Sequence, residues 1–198
     1  KWVQAREAGK VTGVKFGSYA SLLGERTWRR HALLGTLLCI AGVVGLWGVG
    51  FFSPELVGTV IEDSLKKEGI TGNELAAAKP FWIGINGIVQ NVGAFLGMLT
   101  FTLLAQRWGR KRAFLLAFLG AFLATFAFFR FFDGKADIWW MTPLMGFFQL
   151  GVFAGFAIYL PELFPTRLRS TGTSFCYNVG RFIAASGPFT LGALQKGL

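Results

Sequence analysis

A short basic stretch between two long uncharged runs constrains this chain more than any other feature. Residues 105–112 read Ala-Gln-Arg-Trp-Gly-Arg-Lys-Arg and carry four cations. The runs 80–105 and 113–129 on either side contain no charged residue. Two apolar runs of that length, joined by so few residues, predict a helical hairpin that crosses a membrane twice. Because short loops rich in Lys and Arg stay inside, we expect residues 105–112 to be cytoplasmic.

The composition agrees with a membrane protein. The 198 residues are 53% hydrophobic and include 22 Phe, and only 15% are charged, well below the roughly 25% of soluble domains. The net charge of +10 could indicate a nucleic-acid partner. The cations lie in loops that flank apolar runs, however, so we interpret them as topology signals and expect no nucleic acid to bind.

The apolar runs predict an all-α polytopic membrane protein with five transmembrane helices. After a basic cytoplasmic segment of residues 1–31, the spans are expected at about 32–53, 80–104, 113–130, 138–160 and 171–194. Residues 18–23 are predicted to form a short amphipathic turn on the membrane surface, and residues 55–67 a short surface helix that Gly69 stops. The loops on the side of 105–112 hold thirteen Lys and Arg and the other side holds six, which places the N-terminal segment in the cytoplasm.

Arg181 is the most informative single residue for function. It lies roughly ten residues into the fifth span, where a cation costs at least ~2.5–3.5 kcal/mol on insertion scales. It must therefore face protein or water, and Asn178 shares its helix face three residues earlier. Two interpretations are open: a substrate or coupling-ion site, for example for a carboxylate, or an ion pair with a carboxylate elsewhere in the bundle.

Three amide side chains lie inside other predicted spans. Asn86 and Gln90 share one face of the second span, and Gln149 lies in the fourth. Each is predicted either to line a solute cavity or to bond across helices, which gains about 0.6 kcal/mol in membranes. Gly93 and Gly97 lie on the face of Asn86 and Gln90, where they would let a neighbouring helix approach closely.

Residues 159–172 follow the fourth span on the same predicted side as Arg107 and Arg110. Outside the N-terminal segment, Glu162 is the only acidic residue of that side. We expect it to bridge to Arg107 or Arg110 and to hold two helices together in one state of a moving protein. The alternative is a solvated charge that contributes almost nothing.

Two stretches resemble signature motifs of the major facilitator superfamily. Residues 107–111, Arg-Trp-Gly-Arg-Lys, resemble its R-x-G-R-[KR] loop, and residues 161–172 resemble its P-E-x-x-P-T-x-x-R-x-x-G segment. The chain departs from the fuller loop motif at Thr102 and Gln106, where Gly and Asp are expected. The resemblance implies gating roles for the following residues: Arg107, Gly109, Arg110, Glu162, Arg167 and Arg169.

The resemblance also implies how much of a transporter is present. The five spans would be helices seven to eleven, part of the C-terminal six-helix bundle of that fold, and residues 1–31 would end its central loop. The first six helices and the twelfth would then be absent from this chain. A transport path needs both halves around a site near the membrane midplane, so the N-terminal half is an expected partner.

The function expected from these features is secondary active transport of a small polar solute by alternating access across a bacterial inner membrane. Arg181 favours an organic anion or metabolite, with proton coupling as a further expectation and membrane lipid as the surrounding partner. A sugar transporter of the same superfamily and a non-transporting receptor or sensor are the alternatives. The solute-binding residues predicted are these: Arg181, Asn178, Gln90, Asn86 and Gln149.

Enzymatic and metal-dependent functions are not indicated by the sequence. A membrane-embedded enzyme would need clustered His, Asp or Cys in or near the spans. Cys39 and Cys176 lie far apart in apolar runs, and His31 is the single histidine. Because no disulfide or metal-ligand spacing is present, we expect no catalytic residue, metal or cofactor.

Overall fold

The computed structural model describes residues 17–50 and 52–186, and these residues contain helices and no strand. Their α-helices are α1 (Tyr19–Gly24), α2 (Arg26–Val43), α3 (Ser53–Lys67), α4 (Gly72–Arg107), α5 (Arg110–Phe131), α6 (Met141–Glu162) and α7 (Arg169–Ala185). A π-helical turn, Val44–Val49, continues α2, and a 3-10 helix, Lys135–Trp139, precedes α6. The prediction of an all-α protein is confirmed.

Among the described residues, four helical stretches are long and apolar enough to cross a membrane. They are Arg26–Trp47, Gly72–Arg107, Arg110–Phe131 and Lys135–Glu162, and they correspond to the first four predicted spans. Helix α7 begins at Arg169, two residues before the predicted start of the fifth span. Residues 187–194 of that span lie outside the described residues, so its full length stays a prediction. The stretch predicted as a short amphipathic turn at 18–23 instead forms the six-residue helix α1.

The helix that contains the second predicted span begins eight residues before that span is predicted to start. Helix α4 begins at Gly72 and continues through Pro80. Residues 74–79, Glu-Leu-Ala-Ala-Ala-Lys, are all strong helix formers. Their propensity outweighs the single backbone hydrogen bond that Pro80 removes, so the helix runs on beyond the uncharged part of the span.

Pro54 helps to start a helix. It lies in the first turn of α3, where the missing backbone N–H needs no partner. Helix α3 contains the predicted surface helix at 55–67. The chain turns away at Gly69, whose φ of +84° is a left-handed conformation that glycine adopts without strain.

The described residues form two compact units, one of 17–44 with 156–186 and the other of 45–155. In the second unit, one face of α3 packs against the apolar core. Val57, Ile61 and Leu65 follow each other at four-residue spacing and are at most 1% exposed. They pack in a cluster with Phe128 and Met145. This burial stabilises the docked position of α3 against the ends of the spans.

The same unit packs α4 against α6 through glycines. A Cβ atom at Gly97 would overlap the carbonyl group of Phe147, and one at Gly93 would overlap that of Pro143. The predicted role of these two glycines in close helix approach is confirmed. Gly151 lies beside the Gly97 carbonyl further along. Because the contacting residue numbers rise together, the two helices run parallel.

The other unit packs α2 against α7. A Cβ atom at Gly35 would lie 3.0 Å from Cys176 Sγ, and one at Gly180 would lie 3.1 Å from Cys39 Cβ. Both contacts advance by four residues, so α2 and α7 also run parallel. The beginnings of α2 and α7 therefore lie at the same end of this unit.

Candidate solute-binding and gating residues

A stripe of polar and aromatic side chains follows one face of α7. Ser174, Tyr177, Asn178 and Arg181 occupy positions i, i+3, i+4 and i+7 and lie on one face. We call these four residues the polar stripe. The buried face of the helix carries a different set: Thr171, Gly172, Cys176, Gly180 and Ala184. Asn178 and Arg181 are both exposed in this chain, so the shared face predicted for them is confirmed.

Contacts within the polar stripe fix the positions of the Asn178 amide and the Arg181 guanidinium. The Asn178 amide donates hydrogen bonds of 2.9 Å to the carbonyl oxygen and 3.0 Å to the hydroxyl of Ser174. The Arg181 guanidinium carbon lies 5.7 Å from the centroid of the Tyr177 ring, within the range of a cation–π contact. Arg181 is about 18 Å along the axis from Arg169, which is close to half the ~30 Å hydrocarbon core.

Asn86 occupies a buried contact between two helices. It is 2% exposed, and its Oδ1 accepts a hydrogen bond of 2.8 Å from the hydroxyl of Thr142, which is fully buried on α6. This is the cross-helix role that the sequence left open for the amides. Gln90, one turn along, lies where Gly146 brings α6 against the α4 backbone. The predicted shared face of Asn86 and Gln90 is thus the face that meets α6.

Gln149 uses only part of its hydrogen-bonding capacity. It is 5% exposed and donates from Nε2 to the Thr125 hydroxyl on α5 at 3.0 Å. Its Oε1 is buried and has no hydrogen-bond partner within the described part of the chain. A buried amide oxygen without a donor costs about 1–3 kcal/mol. That oxygen lies near Gly50, just beyond the π-helical turn.

The loop 107–111 has a clear local structure. Gly109 has a φ of +83°, in the region that only glycine adopts without strain, and this conformation separates α4 from α5. Arg110 Nη1 donates a hydrogen bond of 3.0 Å to the carbonyl of Ala105. That contact places a cation at the negative end of α4. Arg107 is exposed.

The segment that follows α6 is held by its own arginines. Arg169 Nε donates to the Pro161 carbonyl at 3.1 Å. Arg167 pairs with Glu25, with Nη2 2.9 Å from Oε1. Glu162 is exposed. The predicted bridge from Glu162 to Arg107 or Arg110 joins residues of different units and stays a prediction.

Two further contacts tie the first helices to this segment. His31 Nδ1 lies 3.0 Å from the Leu163 carbonyl oxygen and donates to it in the matching tautomer. The backbone N–H of Gly17 donates to the Arg167 carbonyl at 3.0 Å. The sequence gives no indication of this contact between His31 and residue 163, because the two positions lie 132 residues apart.

Sequence reasoning did not identify four residues that complete these sites. They are Thr142 beside Asn86, Thr125 beside Gln149, and Ser174 and Tyr177 in the polar stripe. The last two carry a usable signal, because their spacing from Asn178 and Arg181 is helical. Thr142 and Thr125 are distant in the chain from the amides that they contact, so no local sequence pattern indicates them.

Comparisons with known proteins agree with the motifs. The family model described as sugar (and other) transporter matches residues 7–191. A protein of Acinetobacter baylyi, named as a cis,cis-muconate transport protein, is 32% identical over 200 residues, which cover 99% of this chain and 44% of that protein. No solved structure gives a significant match.

Two other relatives carry transporter names. A protein of Cupriavidus pinatubonensis, named as a 4-methylmuconolactone transporter, is 32% identical over 171 residues, covering 86% of this chain and 36% of that protein. One of Haemophilus influenzae, named as a metabolite transport protein, is 26% identical over 181 residues, covering 91% and 40%. The chain thus spans about two fifths of the length of the curated relatives that it matches.

Proposed function

This chain belongs to the sugar (and other) transporter family of the major facilitator superfamily, and we propose that the full-length protein carries a small organic anion across a bacterial inner membrane. The chain is an integral membrane protein by its apolar helices and its family. Its family and relatives are named as transporters, which confirms the expectation that it is not an enzyme.

The polar stripe of α7 is the observation that carries this proposal. If α7 spans the membrane as predicted, the Arg181 guanidinium lies near mid-membrane depth on a face turned away from α2, where it would be too costly to leave against lipid. Water or the remainder of the full-length protein must cover that face. Arg181 would offer a carboxylate two parallel hydrogen bonds, Asn178 would add a donor, and Tyr177 would hold the guanidinium in place. Two relatives named for muconate and a muconolactone support a carboxylate-type solute.

The remaining predicted residues are assigned secondary roles. Gln149 Oε1 would accept a hydrogen bond from solute or from a bridging water, because it is a buried acceptor that has no donor among the described residues. Gln90 would line the path beside it. Asn86 is engaged with Thr142, so its contact with solute stays a prediction. Opening and closing would follow alternating access, with the bridge of Glu162 to Arg107 or Arg110 closing the cytoplasmic side.

Uptake of labelled cis,cis-muconate by vesicles containing the full-length protein tests the proposal. Arg181→Ala should abolish uptake while the protein stays monodisperse, and Arg181→Lys should weaken binding because the planar fork is lost. Tyr177→Phe keeps the aromatic face and should transport nearly normally. Arg130→Gln, a cation outside the polar stripe, is the matched control.

Other outcomes would select the alternatives. Uptake of glucose without uptake of muconate would identify a sugar transporter. Binding of either solute without accumulation would identify a receptor. If Arg181→Ala lost folded protein, and neutralising one carboxylate restored it, Arg181 would be a structural ion-pair partner. Collapse of uptake on adding a protonophore would establish proton coupling.

A further inference from the structure

The loop between α4 and α5 presents cations that the folded chain does not neutralise. Arg107, Lys111 and Arg112 are all exposed. Within the described part of the unit 45–155, none of these three cations has a carboxylate within ion-pairing distance. Trp108 lies among them and is 55% exposed. Exposed Trp beside basic residues is typical of the level of lipid headgroups.

A small apolar cavity begins directly beside this loop. It has a volume of about 40 Å³, and we call it the apolar notch. Six of its lining residues are Gly97, Thr100, Leu104, Ala113, Leu116 and Ala117. Small side chains create the space, and Leu116, 42% exposed, brings the notch to the surface.

The notch and the cations are continuous along the chain. Ala113 lines the notch and directly follows Arg112, and Leu104 lines it three residues before Arg107. A ligand at this place therefore meets hydrocarbon on one side and positive charge on the other. Only an amphiphile with an anionic head satisfies both surfaces.

We propose that this end of the unit is a binding site for one anionic phospholipid. Lys111 and Arg112 hold the headgroup phosphate, Trp108 packs at the glycerol level, and a short part of one acyl chain fills the apolar notch. Cations close to a membrane surface each favour anionic lipid, and the notch converts this general attraction into a defined site. The lipid would thereby fasten the hairpin of α4 and α5 at its predicted cytoplasmic end.

Native mass spectrometry of the full-length protein, titrated with palmitoyl-oleoyl phosphatidylglycerol, tests the site. Wild-type protein should bind this lipid more tightly than the phosphatidylcholine with the same chains. Lys111→Gln with Arg112→Gln should weaken phosphatidylglycerol binding by about 25-fold, or roughly fivefold per cation. Lys67→Gln with Arg130→Gln removes the same charge from the other end and should leave binding within about twofold.

A second variant separates the notch from the charges. Thr100→Leu fills the notch without changing any charge and should weaken the diacyl lipid, while glycerol phosphate, which has no acyl chain, should bind as before. Equal binding of phosphatidylglycerol and phosphatidylcholine by wild-type protein would overturn the proposal. So would unchanged phosphatidylglycerol binding by the Lys111, Arg112 double variant. Glycerol phosphate competing as strongly as the lipid would overturn the part played by the notch.

Discussion

The hydroxyl of Thr142 donates a buried hydrogen bond of 2.8 Å to the side chain of Asn86, across 56 positions of the chain. It joins α4 to α6 near the point where the glycine contacts between those helices begin. A polar residue in a span is often taken as a solute ligand. Here the amide oxygen is already engaged, and both side chains are buried by the helix pair itself.

A double-mutant cycle should measure this bond. Asn86→Ala and Thr142→Ala should each destabilise the full-length protein, and their coupling free energy should be about 0.6 kcal/mol and at most ~1.7 kcal/mol. Unfolding by added denaturing detergent provides the measurement. Strictly additive effects would contradict the bond. Loss of uptake in Asn86→Ala without a matching loss in Thr142→Ala would instead assign Asn86 to solute.

Helix α3 should loosen as the pH falls. Hydrogen bonds from Lys66 and Lys79 lower the pKa of Glu62 from 4.5 to about 2. A carboxyl with a lowered pKa stabilises the docked helix above its ordinary pKa, and this contribution is lost as the pH falls from about 4.5 towards 2. Amide hydrogen exchange in α3 should therefore rise over that range.

Two variants check the origin of this pH dependence. Glu62→Gln should raise hydrogen exchange in α3 at neutral pH and flatten the acid response. Asp63→Asn, on the same helix and exposed, should leave the acid response in place. An acid response that survives in Glu62→Gln would assign it to another carboxyl.

Substitution of Gly97 or Gly172 by Ala should destabilise the protein, but a second substitution should relieve the effect only at Gly172. Gly97→Ala would overlap the backbone of Phe147, so it should destabilise the protein by ~1–3 kcal/mol in any background. Gly172→Ala would place a Cβ atom 2.6 Å from ring carbons of Phe164. In a Phe164→Ala background, Gly172→Ala should add little further destabilisation. Equal penalties in both backgrounds would refute this steric account, with detergent unfolding again the measurement.

Glu162→Gln should shift the balance between inward-open and outward-open states of the full-length transporter. A bridge from Glu162 to Arg107 or Arg110 at a membrane surface is worth at most ~1 kcal/mol, so the population ratio should change up to about fivefold. Labelling of a cysteine engineered on the cytoplasmic side measures that ratio. Glu55→Gln, on the opposite predicted side, is the control, and identical labelling in all three proteins would argue against a gate.

The helices could be predicted because hydropathy, charge and helical periodicity are local properties. The uncharged runs located the first four spans, and the spacing of Asn178 and Arg181 located the face of the polar stripe. The early start of α4 was missed because Pro80 is a boundary signal that a strong helix-forming stretch overrides. Its α-helical continuation into 72–79 depends on the sum of several small propensities.

The contacts of the candidate site could not be predicted in the same way. Thr142 and Thr125 are single hydroxyls in apolar runs, and only the packing of α5 and α6 brings them to Asn86 and Gln149. The lack of a hydrogen-bond donor for Gln149 Oε1 likewise depends on which groups the packed helices place beside it. Such pairings depend on helix rotation and register, which composition does not encode.

The parallel seam between α2 and α7 has its own consequence for movement. The Cys176 sulfur lies against Gly35, and the Cβ and backbone of Cys39 lie against Gly180, so each glycine makes room for a cysteine of the other helix. Sliding α2 by one turn would set Cys39 against Cys176 and Gly35 against Gly172. The two cysteine side chains would then clash, and a void would open between the two glycines. The contacts between α2 and α7 therefore allow only one register of the two helices. Helices α2 and α7 are therefore expected to move together as one rigid body during the transport cycle, and Arg181 is expected to move with them.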